Sequence, residues 1–324
     1  MAEQDRIERL DEVVAGVLAS RRDAPASGDA ELDTLAAIAV DLLGLPQDGF
    51  REKLRAELES GRRAAAVAPA PMREGFHTIT PYLNAAGAAS LIDFLKRAFR
   101  AGELLRVPGE GGAIRHAELR IGDSVVEVSD GSPAFPPFAS ALHLYVEDAD
   151  AAYARALEAG ATSLHAPVDQ PYGDREAGVK DPAGNSWYLA THRATGLAPE
   201  GLRSVTPYVQ ARDTAGLIDF VRRAFGGEER DRTESRDGIV HHAKIRIGDS
   251  VVEMGEAHGP YGLAPAAIHL HVADADAVFD QAVRAGAESV FPVADQPYGE
   301  RSGGVRDPFG NLWFIATFFA DVAS

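Results

Sequence analysis

From residue 77 onward the hydrophobic positions switch repeatedly between two periods. ITPYLN, around 79–84, alternates as a short strand does, and AASLIDFLKRAF follows with Leu91, Leu95, Ala98 and Phe99 on one helical face. HAELRIGDSVVEVS alternates twice about Gly122-Asp123, which predicts a β-hairpin. The pattern restarts at ALHLYV, a strand. A helix follows with Asp148 or Asp150 as its N-cap, Ala152, Tyr153, Ala156 and Leu157 as its apolar face, and Gly160 as its stop. AGVKDPAGNSWYLAT closes the unit as two strands around a DPxGN turn, where proline fixes φ and glycine supplies a positive one.

The whole pattern then recurs. Residues 77–192 return as 203–318 without a gap: Pro81-Tyr82 as Pro207-Tyr208, His116 as His242, Glu127 as Glu253, His143 as His269 and Asp181-Pro182 as Asp307-Pro308, each 126 positions on (207 − 81). A repeating unit of ~116 residues is the size of a domain, so the chain carries a duplicated domain and not a solenoid. The order strand, helix, then two or three strands occurs twice per domain. The sequence therefore divides into an N-terminal helical region with its linker at 1–70, one domain at 76–195 and a second at 202–320.

The N-terminal region reads differently. Amphipathic helices are predicted at 7–18, 32–43 and 50–58, with Ile7, Leu10, Val14, Val17 and Leu18 on one stripe and Leu35, Ile38, Leu42 and Leu43 on another. AAAVAPAPM then makes a linker. Two readings stay open: a helical cap packed on the domains or on itself, or a docking element for a partner or for a second copy of the chain.

Composition narrows the classes. With no cysteine among 324 residues, disulfides, thiolate metal sites and a cysteine nucleophile are excluded. A net charge of −17 argues against nucleic acid, because Arg21-Arg22 and Arg62-Arg63 are too small to form a basic stripe. The opening MAEQDRIERLDEVV is not a signal sequence, and no apolar stretch approaches the ~18 residues of a membrane span. The expectation is a soluble cytoplasmic protein.

TPYL, LIDFLKRAF, HAELRIGDS, LHLYVEDADA, DQPYGDR and DPAGNSW, and in the second copy TPYV, LIDFVRRAF, HAKIRIGDS, IHLHVADADA, DQPYGER and DPFGNLW, resemble in their order the PhnB-like branch of the vicinal-oxygen-chelate (glyoxalase/bleomycin-resistance/dioxygenase) superfamily. The resemblance covers both domains and leaves the N-terminal region unexplained. It implies an α+β fold of paired βαβββ modules whose sheets curl around a cleft, and the two domains paired within the chain as a pseudo-dimer. Members of the family include metal-dependent lyases, isomerases and dioxygenases, and metal-free proteins that sequester a drug.

The resemblance places the family's metal ligands at Thr80, Glu127, Ala141 and Tyr188, and in the second copy at Thr206, Glu253, Ala267 and Phe314. Only the glutamates are strong donors, and first-row ions want three or more, so no metal is expected at this position. A displaced site built from His116, Glu127 and His143, holding one divalent ion, is the alternative. Without a metal, His143 is expected to pair with Glu127 in a polar network, His116, Glu118 and Arg120 to point inward, and Trp187 and Trp313 to be core. Tyr82, Tyr145, Tyr172, Arg175 and Tyr188, with Tyr208, His242, Glu253, His269, His271, Tyr298 and Arg301, are the candidate ligand-binding side chains. Arg175 and Arg301 are expected over the cleft mouth, or else paired to Asp169 or Asp181.

The leading expectation is a small-molecule binder acting by sequestration, with no cofactor. The alternatives are an enzyme using His116 or His143 as general base beside Glu127, and a regulatory or scaffold protein acting through its N-terminal helices.

Overall fold

The computed structural model describes residues 72–194, 198–199, 201–259 and 261–318. The three N-terminal helices expected from the sequence lie outside these residues. Among the described residues no helix is long and apolar enough to cross a membrane.

The first repeat runs β1 (Ile79–Ala85), α1 (Ala88–Phe99), β2 (Gly102–Pro108), β3 (Ile114–Ile121), β4 (Ser124–Asp130), β5 (Ala141–Tyr145), α2 (Ala149–Glu158), β6 (Thr162–Asp169), β7 (Asp174–Lys180) and β8 (Ser186–His192). The second runs β9 (Val205–Ala211), α3 (Thr214–Phe225), β10 (Glu228–Glu234), β11 (Val240–Ile247), β12 (Ser250–Glu256), β13 (Ala267–His271), α4 (Ala275–Arg284), β14 (Glu288–Gln296), β15 (Glu300–Arg306) and β16 (Leu312–Phe318). Each repeat is thus two βαβββ modules, as the pattern predicts. The outermost strands β2, β6, β10 and β14 were hardest to read, because both of their faces are largely exposed and their pairing is broken by bulges.

Local chemistry sets the element ends. Asp148 caps α2 by accepting from the Ala151 amide, and Asp274 does the same for α4 from Ala277. Asp130, at the end of β4, accepts from the Gly87 and Ala88 amides and so fastens α1 to its sheet. In each DPxGN turn the aspartate gathers four donors; Asp181 accepts from the amides of Ala183 and Asn185, the Asn185 side chain and Trp187 Nε1. Both tryptophans are fully buried, as expected.

The two repeats share their sheets. One eight-stranded sheet has the order β14-β15-β16-β13-β1-β4-β3-β2 and the other β10-β11-β12-β9-β5-β8-β7-β6. The first module of each repeat thus continues into the second module of the other. The joins are antiparallel: Thr80 lies opposite His269, and His143 opposite Thr206.

The cores follow the repeats instead. α1 packs on α2 and α3 on α4. One apolar cluster joins Leu91, Leu95 and Phe99 to Leu144, Trp187 and Leu189, and the other joins Leu217, Val221 and Phe225 to Leu270, Trp313 and Ile315. Each repeat owns a core between its helices and the outer faces of both sheets. Each inner face, and with it each cleft, is composite.

Candidate functional site

Alternation along a strand places residues i and i+2 on one face. In the first cleft this brings together Thr80 and Tyr82 of β1, His116 and Glu118 of β3, Glu127 and Ser129 of β4, His269 and His271 of β13, and Phe314 of β16. The register confirms the neighbours: Tyr82 sits beside Glu127, and His269 between Thr80 and Phe314. The second cleft has the equivalent set with the repeats exchanged: Thr206, Tyr208, His242, Lys244, Glu253, His143, Tyr145 and Tyr188.

The central contact in each cleft therefore crosses between repeats. His269 Nδ1 donates to Glu127 at 2.9 Å, and His143 Nδ1 donates to Glu253 at 2.9 Å. The expected pairing of His143 with Glu127 does not form. For the same reason His116, Glu127 and His143 do not meet: the first two lie in one cleft and His143 in the other. The physical cause is the shared sheet, which sets each β5 or β13 strand beside the other repeat's first strand.

Burial makes these contacts strong perturbers. Burial alone pulls His269 down, but the charge and hydrogen bond of Glu127, with the Glu300 carboxylate 3.3 Å away, outweigh it and raise the imidazole to about 10. His143 is raised in the same way by Glu253, whose own carboxyl is held far below the usual range, against burial, by His143 and His242. His271 goes the other way: burial first, then the neighbouring His269 charge, keep it neutral. Glu118 accepts both Nη1 and Nη2 of Arg73 at 2.7 Å, and His116 Nε2 lies 3.4 Å from the same carboxylate. Burial opposes ionisation of Glu118, but these two donors hold it below its ordinary value.

The clefts have diverged. The first encloses a cavity of about 730 Å³ walled by Tyr82, Phe135, Phe291, Tyr298 and Phe314, with His116, Glu118, Glu127, His269 and Glu300 lining the rest. In the second, Glu176 replaces Ser302, Tyr188 replaces Phe314, and Tyr172 donates to Glu176 at 3.0 Å. His143 is closed in by this network, and the space that remains, about 440 Å³, lies aside from it, lined by Leu164, His165, Tyr188, Gln210 and Tyr261.

Several expected residues stand elsewhere. Arg175 is clamped between Asp150 and Asp169, and Arg301 between Asp276 and Asp295, outside both cavities. Each fork is filled by three hydrogen bonds to two carboxylates, so the arginines fix the loop to the helix start. Arg120 reaches toward Glu74 and lines neither cavity. Sequence reasoning missed Arg73, Asp174, Glu176, Glu300, Phe135 and Phe291. Alternation carried back through the DQPYGER loop would have put Glu300 and Ser302 on one face. Arg73 precedes the repeat and carried no such signal.

At the family's metal position the first cleft offers Thr80, Glu127, Ala267 and Phe314. One carboxylate, already accepting from His269, and one hydroxyl do not make a transition-metal site. The donors present do not fit a metal there.

Curled sheets of paired βαβββ modules around composite clefts define the vicinal-oxygen-chelate architecture. The chain matches the Glyoxalase/Bleomycin resistance protein/Dioxygenase superfamily at residues 75–189 and again at 202–315, and it belongs to that family. An uncharacterized protein of Mycobacterium bovis is 43% identical over 122 residues, covering 34% of this chain and 80% of its own length. An uncharacterized protein of Mycobacterium tuberculosis is likewise 43% identical over 122 residues, covering 34% of this chain and 72% of its own. Glyoxalase I from Zea mays superposes with a TM-score of 0.56 at 15% identity, covering 74% of this chain and 92% of its own, a likeness of fold.

Proposed function

We propose that this protein binds an organic small molecule in the first cleft and holds it by shape and hydrogen bonding. The observation that carries this reading is the aromatic-walled cavity of about 730 Å³, within the range of ligand pockets. Tyr82, Phe135, Phe291 and Phe314 offer ring faces and edges to a flat ligand. The polar floor is acidic in balance, with Glu118, Glu127 and Glu300 set against Arg73 and His269. A neutral or cationic aromatic molecule with hydrogen-bond donors suits it best. The second cleft is the weaker container, because its centre is filled by its own side chains.

Acridine orange, a planar cationic dye, tests the reading. One dye per full-length chain is expected, with anilinonaphthalene sulfonate binding at least about tenfold more weakly. Phe314→Ala removes a ring contact and is expected to weaken the dye about tenfold, or ~1.4 kcal/mol. Two equal sites, or indifference to this change, would refute the assignment.

One observation favours a second reading, in which the cleft carries out acid–base chemistry. His116 borders the cavity partly exposed, with Glu118 at 3.4 Å to orient its ring. Turnover of a bound ligand that disappears in His116→Gln while binding persists would establish it.

A further inference from the structure

The floor of the first cleft contains a cluster of donors that the container reading uses only for its charge. His269 and His271 are two residues apart on β13, so both rings face inward, with centroids 4.3 Å apart. Glu300 joins them from β15, and one donor atom of each of the three lies within 4.8 Å of the other two. His271 is 1% exposed, and among the described residues nothing bonds either of its ring nitrogens. Glu300, 5% exposed, has its Oε2 3.3 Å from His269 Nε2 yet in no hydrogen bond. A buried polar group left unmatched costs stability, so this cluster is built for something that satisfies it.

We propose that His269, His271 and Glu300 bind one divalent transition-metal ion of the zinc, cobalt or nickel type, in the first cleft only. Two imidazoles and a carboxylate are the donors such ions take. Ligand bonds of ~2.0–2.2 Å put tetrahedral donors about 3.4 Å apart, so a donor pair at the 4.8 Å limit closes by about 1.4 Å while His269 Nε2 and Glu300 Oε2 already stand 3.3 Å apart. Glu127 accepts the Nδ1 proton of His269, which orients the ring and leaves Nε2 for the ion. Arg73 is engaged by Glu118, so the nearest fixed cation is already paired. With both imidazoles neutral, Glu118, Glu127 and Glu300 against Arg73 leave two negative charges, which a dication balances. The ion takes the place of the proton on His269 Nε2. His269 and Glu300 line the cavity, so a further coordination position opens toward a bound ligand.

The second cleft shows the same positions without a vacancy for an ion. Tyr145 stands where His271 does and donates to Asp174, which stands where Glu300 does, at 3.2 Å; His192 also bonds Asp174. Those bonds are made by protein groups alone, while His143 Nε2, 3.5 Å from Glu176, is left without a hydrogen bond.

The test uses the full chain without a histidine tag, stripped with a chelator. It is titrated with Zn²⁺ against a chromophoric indicator, and with Co²⁺ to read its visible absorption. One ion per chain is expected, weakened about a hundredfold or more by Glu300→Gln and by His271→Tyr, which installs the second cleft's residue. Thermal melts confirm that the variants fold. No Zn²⁺ uptake at roughly 100 µM free ion, or uptake unchanged in both variants, overturns the proposal. So does uptake that is lost in Glu118→Gln alone, which would place the ion on His116, Glu118 and Glu127. Acridine orange binding by the stripped protein reports separately on the container reading.

Discussion

At single positions the two repeats serve as controls for each other. Arg100 ends α1 in the left-handed region with φ 56°, where the second repeat has Gly226 at φ 65°. A side chain there costs roughly 1–2 kcal/mol, partly offset by glycine's greater freedom when unfolded. Arg100→Gly is therefore expected to stabilise the chain by roughly 0.5–1 kcal/mol in urea titrations, and Gly226→Arg to destabilise it. At the seam between repeats, His77 donates to the Asp249 carboxylate at 3.1 Å and to the Asp123 carbonyl at 3.0 Å, while Arg203 also holds Asp249 at 3.1 Å. The bond to Asp249 raises His77, so the imidazolium contributes fully below its unfolded value of about 6.5 and ceases to contribute as pH rises through the folded value. Asp249 is held below its usual range, and its contribution is lost only as pH falls through that lowered value. Arg203 occupies the position equivalent to His77 and does not titrate. His77→Arg should thus lose stability less than the parent between neutral and mildly alkaline pH; parallel curves would rule this out.

Among elements, the DPxGN turn concentrates the most structure in the fewest residues. Replacing Asp181 by alanine strands two amides, the Asn185 side chain and the buried Trp187 indole. With several donors unmatched at ~1–3 kcal/mol each and some relaxation, a loss of roughly 3–4 kcal/mol is expected by equilibrium denaturation. The cap of α2 is a milder case. Asp148 makes one bond to Ala151, and Asp148→Ala should cost about 1 kcal/mol. These elements were legible in the sequence because their signals are local: a capping aspartate, a helical stripe, a proline and a glycine at fixed offsets. The arginine loops were legible only in part: the sequence leaves Arg175 open between the cleft mouth and a pair with Asp169 or Asp181, and the Asp169 pair forms. Arg175 has Asp150 and Asp169 within reach only after α2 and β7 pack together, and two carboxylates then satisfy the guanidinium before any ligand arrives.

On the scale of the whole molecule, cores and clefts obey different partitions. A single repeat contains nearly all of an apolar core, with Ile79 the one buried residue lent by the other repeat, yet alone it would expose β9 and β13 along the edges that now pair with β5 and β1. Residues 203–324 expressed separately are expected to form a symmetric dimer that rebuilds both sheets, or to aggregate through those edges. A well-folded monomer by size exclusion and hydrogen exchange would contradict the shared-sheet account. What the sequence determined by itself follows from these partitions. Hydrophobic period fixes which residues a repeat buries, so the duplication, the βαβββ modules, the tryptophan cores and the inward rows of Tyr82, His116, Glu127, His143 and His269 could all be read from it. Which row faces which was decided only by the tertiary structure. Strand pairing runs through backbone groups that every residue carries alike, and nothing local states that β1 meets β13. That choice joined His269 to Glu127 and His143 to Glu253, and it set His269 and Glu300 of the last module into the cleft that Tyr82 and Glu127 line from the first.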